Sequence, residues 1–299
     1  MRRKLPTTQS LICFEAAARH ASFTKAAQEL ALTQGAVSRQ VAALEEMLGL
    51  PLFKRGQYGM QLTTVGRDYA KQISQRLTAL ERDTLDAMGS HGQSESITLA
   101  AVPTFASRWL IPRLPTFAST LPKHNIHIET RTRPFMFNDS GIDAAIYAGT
   151  ADQVFHWAGT QATHLLDEEV MPVCSPKLLK KNRHLKPHEL AQMPLLQQST
   201  RPEAWRQWFA AQNLDIPQAM AGPRYELFSM QVAAALHGLG VSLMPTLLIS
   251  AELKRGELVI ACPRPLTGLR SYYLIEPQHT QPRDLLAHFK AWLILQSKI

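Results

Sequence analysis

Hydrophobic positions along the chain fall into three regimes. Over residues 24–45 they recur at helical spacing. At about 100° per residue, Val37, Val41 and Leu44 share one side of a helix, while Gln34, Gly35, Ser38, Arg39 and Ala42 share the other. Thr33 stands where an N-cap belongs. Just upstream, Thr24 is placed to cap a shorter helix whose buried residues would be Ala26, Ala27 and Leu30, with Ala31-Leu32 as the turn between the two. Residues 51–62 then read as two short strands around a tip flanked by Gly56 and Gly59.

The second regime is one long helix from Thr63 or Thr64 to the Gly89-Ser90-His91-Gly92 stop. Tyr69, Ile73, Leu77, Leu80, Thr84 and Met88 form a stripe at steps of three and four, the spacing of a coiled-coil seam. Such a stripe needs a partner, either a second copy of the chain or the chain's own N-terminal helices.

From Ser94 onward, short apolar runs alternate with helical patterns. Expected strands are Ile97–Val102, His127–Thr132, Ala144–Tyr147, Val170–Cys174, Val241–Met244 and Tyr272–Ile275, with Pro194–Gln197 also strand-like. Expected helices include Glu203–Gln212, Phe228–His237 and Arg283–Gln296. This alternation predicts an α/β region with parallel sheets. About 200 residues suits two small sheets with a cleft between them.

Composition narrows the classes. The 299 residues carry a net charge of +8, and 45% are hydrophobic, as in a soluble globular protein. Residues 1–62 hold +4 of that charge, which suits a phosphate-rich partner. Cys13, Cys174 and Cys262 are an odd and widely spaced set, so a disulfide framework is not expected and a reducing cytoplasm is. Glu15 interrupts the segment after Arg2-Arg3-Lys4, so it does not read as a signal peptide. No apolar run approaches the ~18 residues of a membrane span.

Motifs for catalysis are lacking. His124-x-x-His127 has no third ligand nearby and precedes a strand, so no metal site is expected. Neither a phosphate loop nor a Gly-x-Ser-x-Gly occurs. Gly238-x-Gly240 precedes its strand instead of following it, so it reads as a helix-to-strand turn. No enzyme activity and no cofactor are expected. The slim, polar face of the second helix is instead suited to a DNA major groove, with Gln and Arg as base-reading types and the helix N-terminus as a phosphate site. Lys54 and Arg55 would meet phosphates, which supply affinity without sequence choice.

These residues resemble the N-terminal domain of LysR-type transcriptional regulators. The resemblance rests on Phe14-Glu15-Ala16-Ala17-Ala18, Ser22-Phe23-Thr24-Lys25-Ala26-Ala27, Leu30, Thr33-Gln34, Ala36-Val37-Ser38, Leu44-Glu45, Leu48-Gly49, Leu52-Phe53, Arg55, Leu62-Thr63 and Gly66. Downstream, 142–146, 172–176 and 238–243 are similar to the family's effector domain, nearest the subgroup of the glycine-cleavage activator and the β-lactamase regulator. The resemblance implies a winged helix-turn-helix at 1–62, a dimerising linker helix at 63–91 and an effector domain at 95–299. That domain would be like a type 2 periplasmic binding protein, with one lobe from about 95–167 and 271–299 and the other from about 168–270.

Expected DNA contacts are Thr24, Thr33, Gln34, Gly35, Ser38, Arg39, Lys54, Arg55, Gln57 and Tyr58. Many relatives have a basic residue where Gln57-Tyr58 stands. In a two-lobed fold, small molecules sit between the lobes at strand ends and helix N-termini. Expected effector contacts are Thr104, Phe105, Ala106, Ser107, Phe137, Tyr147, Gln198, Ser199, Ser229, Met230 and Tyr272, with Phe135 as a further aromatic wall. Tyr147 stands where many subgroup members have Arg, and Tyr272 matches a pocket Tyr of relatives of the β-lactamase regulator. Double-stranded promoter DNA, a small-molecule effector, a homodimer or homotetramer and RNA polymerase are the implied partners, in the cytoplasm and without a membrane. A small-molecule-binding protein without a specific operator, or a free-standing solute-binding protein, is the competing reading.

Overall fold

The computed structural model describes residues 4–56, 59–90, 96–179, 184–278 and 283–298. The chain divides into two units, 1–92 and 93–299.

In the first unit, helix α1 (Thr8–His20) starts at Thr7, whose hydroxyl accepts the Ser10 amide at 3.1 Å. Helices α2 (Phe23–Glu29) and α3 (Gln34–Leu48) follow, joined through Ala31 in the left-handed region (φ 53°). Thr33 caps α3, accepting the Ala36 amide at 3.2 Å. Thr24 does not cap α2. It lies one residue inside the helix, and Ser22, with extended backbone, accepts the Lys25 amide at 3.3 Å. Only the residue with non-helical φ and ψ ahead of the first turn can turn its hydroxyl back onto those amides.

Phe14, Ala17, Ala26, Ala27, Val37, Val41 and Leu44 are buried together. The alanines let the three helices approach closely. The antiparallel hairpin β1 (Phe53–Gly56) and β2 (Gly59–Leu62) is tied to α3 by Glu45, whose carboxylate accepts the Leu52 and Phe53 amides at 2.7 and 3.0 Å. Gly66 is required by close approach, since a Cβ there would stand 2.0 Å from the Leu52 carbonyl oxygen.

Helix α4 (Thr64–Ser90) begins where the Thr63 hydroxyl accepts the Gly66 amide at 2.9 Å. Its apolar stripe divides. Ile73 is buried, and the Tyr69 ring lies 5.6 Å from that of Phe14, so this part packs on the unit's own core. Leu80 and Met88 of the stripe are 51% and 68% exposed, and Leu85 beside it is 61% exposed, so the far part has no partner among the described residues.

The second unit contains two five-stranded sheets. The first uses β3 (Ser96–Ala101), β4 (Asn125–Thr130), β5 (Ala144–Gly149), β6 (Thr160–Asp167) and a late strand described below. A helical segment runs from α5 (Pro103–Phe105) through a π turn and a 3-10 turn into α6 (Leu114–Thr120), and α7 (Ala151–Phe155) follows β5. The second sheet holds β7 (Val170–Cys174), then, after α8 (Pro187–Leu190), β8 (Leu195–Gln198), and, after α9 (Ala204–Ala210), β9 (Arg224–Tyr225). Helix α10 (Phe228–Leu236) leads to β10 (Val241–Pro245), and α11 (Ser250–Arg255) to β11 (Val259–Ile260). The chain then returns to the first sheet as β12 (Ser271–Pro277) and ends in α12 (Asp284–Gln296).

The sheet orders are β4-β3-β5-β12-β6 and β11-β7-β10-β8-β9. They are mixed, not parallel as expected: β12 is antiparallel to β5 and β6, and β10 is antiparallel to β7. Parallel neighbours need a crossover within their own sheet, and β12 arrives from the other sheet. The sequence pattern misses β6, an edge strand reading Thr-Gln-Ala-Thr-His-Leu-Leu-Asp with one fully buried position, and the two-residue strands β9 and β11. Gly238 (φ 75°) makes the expected turn from α10 toward β10.

The chain crosses between the sheets twice, and the crossings run side by side. The Glu168 amide donates to the Arg270 carbonyl at 3.0 Å, and Val170 and Leu266 exchange two amide hydrogen bonds of 3.0 Å. A buried cluster is continuous across both sheets, with Leu99, Phe105 and Tyr272 from the first side and Leu196, Phe228 and Met244 from the second. Behind the second sheet, Trp205, Trp208 and Phe209 form a separate aromatic core.

Candidate functional site

In the first unit, α3 buries Val37, Val41 and Leu44 and exposes Thr33, Gln34, Gly35, Ser38 and Arg39. A Cβ at Gly35 would meet nothing within 4 Å, so the glycine serves no internal packing and leaves this face slim. Arg39 Nε donates to the Gly35 carbonyl at 3.3 Å, which lays the guanidinium along the face. Thr24 is exposed on α2. Lys54 is exposed on β1 and lines a groove with Ser38 and Ala42 of α3. Arg55 lies on β1, and Gln57 and Tyr58 fall outside the described residues. Helices α1 and α2 are braced by Arg19, which pairs with Glu15 at 3.1 Å and Glu29 at 2.6 Å. Arg19, and after it His20, hold the Glu29 carboxyl down at about 2.

In the second unit, a cavity opens between the sheets. One part, about 80 Å³, is lined by Thr104, Phe105, Tyr147, Gln198, Tyr272 and neighbours. A second part, about 230 Å³, shares Gln198, Arg201, Phe228 and Arg270 with it and adds Glu168 and apolar walls at Val170, Leu243, Leu266 and Leu269. Thr104, at the start of α5, accepts the Ser229 amide from α10 at 3.1 Å, a direct hydrogen bond between the two sides. Gln198 is fixed from below: it accepts from Gln231 Nε2 at 2.8 Å, and Gln231 in turn accepts from the Ser242 hydroxyl.

The structure thus brings Thr104, Phe105, Tyr147, Gln198 and Tyr272 together at the cavity, with Ser229 joined to Thr104 through its amide, and places Ala106, Ser107, Phe137, Ser199 and Met230 off the lining. Ala106 is buried beneath it, and Ser107 donates to the Thr104 carbonyl at 3.3 Å. Phe137 belongs to a cluster with Phe135 and Trp157 that shares Tyr147 with the cavity. Ser199 is exposed past the end of β8, and Met230 is half exposed on α10.

Three charged residues of the cavity's inner wall were not expected from the sequence. Arg201 grips Glu168 with both ends of its guanidinium, one hydrogen bond measuring 3.0 Å, and stacks over the Phe228 ring at 4.8 Å. Burial opposes the Arg201 charge, but Glu168 outweighs it and holds the arginine above its usual pKa. Burial pushes Tyr272 well above the usual phenol value, and the neighbouring Glu168 adds to this, so Tyr272 keeps its proton. Arg270 has no carboxylate within ion-pairing distance among the described residues. Its Nη1 meets two neutral acceptors, Gln153 Oε1 at 3.2 Å and the Ala148 carbonyl at 3.5 Å. Burial, and then Arg201, depress its pKa. No local pattern marks these residues, because they come from the two crossings and a loop after β8.

The chain matches the LysR-family bacterial regulatory helix-turn-helix protein over residues 8–67 and the LysR substrate binding domain over residues 90–296. It belongs to the LysR family of transcriptional regulators. It is 34% identical to the glycine cleavage system transcriptional activator of Escherichia coli (strain K12), with 99% of this chain and 96% of the relative covered. It is 35% identical to the transcriptional activator AmpR of Rhodobacter capsulatus over 96% of each chain. The effector domain of the regulator AmpR of Pseudomonas aeruginosa superimposes with a TM-score of 0.61 at 25% identity, covering 68% of this chain and 96% of that one. This LysR-family chain is therefore a DNA-binding regulator with a metabolite-sensing domain, and its relatives are regulators, not enzymes. Regulators of this family join a helix-turn-helix to a substrate binding domain. None of the helices described here is long and apolar enough to cross a membrane.

Proposed function

We propose that this regulator reads a promoter operator with the outer face of α3 and responds to a metabolite held between its two sheets. The single observation carrying the first half is the division of α3: its apolar residues are consumed by the core, and Gln34, Ser38 and Arg39 stand exposed on a slim face. Gln34 and Arg39 supply the base contacts. Thr24, Thr33, Gly35 and Ser38 allow close approach and hold the backbone, while Lys54, Arg55, Gln57 and Tyr58 form the wing contacts to phosphates.

The division of labour follows 1–62 for DNA binding, 63–91 for assembly and 95–299 for sensing, with lobes at 95–167 plus 271–299 and at 168–270. Exposed Leu80, Leu85 and Met88 support a homodimer through α4, in the manner of a two-stranded seam. Pairing of such dimers into a homotetramer, contact with RNA polymerase and a cytoplasmic location complete the proposal. In the cavity, Thr104, Tyr147, Gln198 and Tyr272 face the effector, and Ser229 sets Thr104 through its amide. Effector binding shifts the balance between lobe arrangements only to the extent that it favours one of them, and the footprint and bend of the DNA change with it.

Selection of fragments bound by the purified full-length chain from genomic DNA, followed by footprinting, tests this. The expected result is a small set of intergenic sites protected over a length that needs more than one DNA-binding unit. Enrichment no better than random fragments would contradict operator binding and favour a sensor without an operator.

A further inference from the structure

Charge inside the cavity does not balance. Its inner wall carries two arginines and one carboxylate, and the carboxylate is taken: Glu168 is gripped at both oxygens by Arg201. Two more carboxylates border the space, at the rim. Glu203 is paired with Arg206, and Glu226 is exposed to water. Solvated or already paired carboxylates do little to neutralise a cation further in. Arg270 is left as a partly buried, permanently charged group that feels Glu168 at longer range but whose side chain has, among the described residues, hydrogen bonds to two neutral oxygens alone, both met by the same nitrogen. The opposite edge of its guanidinium, Nε and Nη2, has no hydrogen-bond partner among the described residues. That edge is one of the two that match the two oxygens of a carboxylate. The larger part of the cavity continues from Arg270 along Val170, Leu243, Leu266 and Leu269, which are apolar.

Building on the sensor reading above, we infer that the effector is a small organic carboxylate with an apolar body, its carboxylate received by Arg270 and its body lying along the apolar wall of the second sheet. Arg201 contributes a second positive pole whose position Glu168 fixes, and Gln198 marks the boundary between the two parts of the space. The site lies on the hinge. Arg270 ends the return crossing, and its carbonyl accepts the amide of Glu168 on the outgoing one. An anion received on the free edge of Arg270, while Nη1 stays on Gln153 and Ala148 of the first-sheet side, acts directly where the two halves are joined.

Sodium benzoate serves as the probe, with benzamide as its neutral counterpart of the same shape and inorganic phosphate as an anion without an apolar body. The readout is thermal unfolding of the full-length chain at constant ionic strength. Benzoate in the millimolar range should raise the melting temperature of the effector domain by about 2–4 °C, benzamide and phosphate should not, and Arg270→Gln should abolish the benzoate response. The benzoate and benzamide comparison on the unaltered chain stands even if the variant folds poorly. Equal responses to benzoate and benzamide, a response to phosphate as large as to benzoate, no response to benzoate, or a benzoate response that survives in Arg270→Gln would each overturn the inference. Operator binding by Arg270→Gln without any probe is scored in parallel. If it persists while the benzoate result is negative, the ligand class is wrong and the regulator stands; if the unaltered chain lacks operator binding, the regulator reading itself has failed.

Discussion

The two units place their charge in opposite ways. The first turns it outward: Arg39 and Lys54 stand on an exposed face above an apolar core built around Phe14, Val37, Val41 and Leu44. The second turns it inward, with Arg201, Glu168 and Arg270 around a cavity and aromatic cores behind. The difference follows from what each must recognise. DNA is a polyanion far larger than the unit, so a convex rigid face suffices, and the surrounding salt sets the strength of the interaction. A metabolite is smaller than the domain and is selected by enclosure, where each unpaired charge weighs more because less water screens it.

The largest effects should come from breaking the inward arrangement. Glu168→Ala leaves Arg201 buried without its partner and should destabilise the effector domain by about 3–5 kcal/mol, read by chemical denaturation. Replacing both residues with apolar ones of similar size should restore much of that loss. If the single variant costs no more than an exposed ion pair, the charge in the cavity is better hydrated than its burial implies. Phe14→Ala makes the matching break in the first unit. It should cost about 3–5 kcal/mol there and eliminate DNA binding, while the effector domain unfolds as before.

Changes on the outward face should leave stability untouched and act only on DNA. Arg39→Ala should weaken operator binding by about 1–3 kcal/mol and relax the choice of base at one position. Lys54→Ala should weaken binding to all sequences alike and flatten the salt slope by about one unit. Both are measured by titration against operator and unrelated DNA. If Lys54→Ala altered sequence choice, the separation of positioning from reading on this face would be wrong.

The smallest effect concerns pH. Arg19 and then His20 hold Glu29 at about 2, below its usual 4.5. A carboxyl depressed by folding adds stability above its unfolded value, and that stability is lost as pH falls through the folded one. Glu29→Gln should therefore be slightly less stable than the unaltered chain above about pH 5, and the gap should close toward pH 2. A gap that does not change with pH would show that the pairing contributes nothing through this proton.

The same contrast explains what was legible in the sequence. On α3 the core and the outer face alternate within one helix, so Val37, Val41 and Leu44 revealed one side and thereby fixed the other, Ser38 and Arg39 included. The cap on α2 was misplaced by two residues, because both Ser22 and Thr24 carry a suitable hydroxyl and only the backbone angles decide between them. The cavity is assembled from segments near 104, 147, 168, 198–203, 228 and 266–272, which no local period connects. Thr104, Tyr147, Gln198 and Tyr272 were reachable through the family resemblance. Arg201, Glu168 and Arg270 were not, since an Asp-Glu-Glu run between strands and an arginine after a turn look like ordinary loop residues. The mixed direction of the sheets was hidden for a related reason: the return of β12 to the first sheet is a property of the chain path, not of any strand's own sequence.

If the outward face of α3 reads DNA sequence, Arg39 should carry much of the preference. The most direct test is a mobility shift of the full-length chain, unaltered and Arg39→Ala, on its own upstream intergenic DNA and on unrelated DNA across a salt series. The expected result is a preference for the upstream fragment, a steep loss of affinity with salt on both DNAs, and a preference that shrinks in Arg39→Ala while the salt slope stays nearly the same. Equal preference in the two proteins, with the upstream fragment still favoured, would contradict it by placing the reading of sequence elsewhere on the molecule.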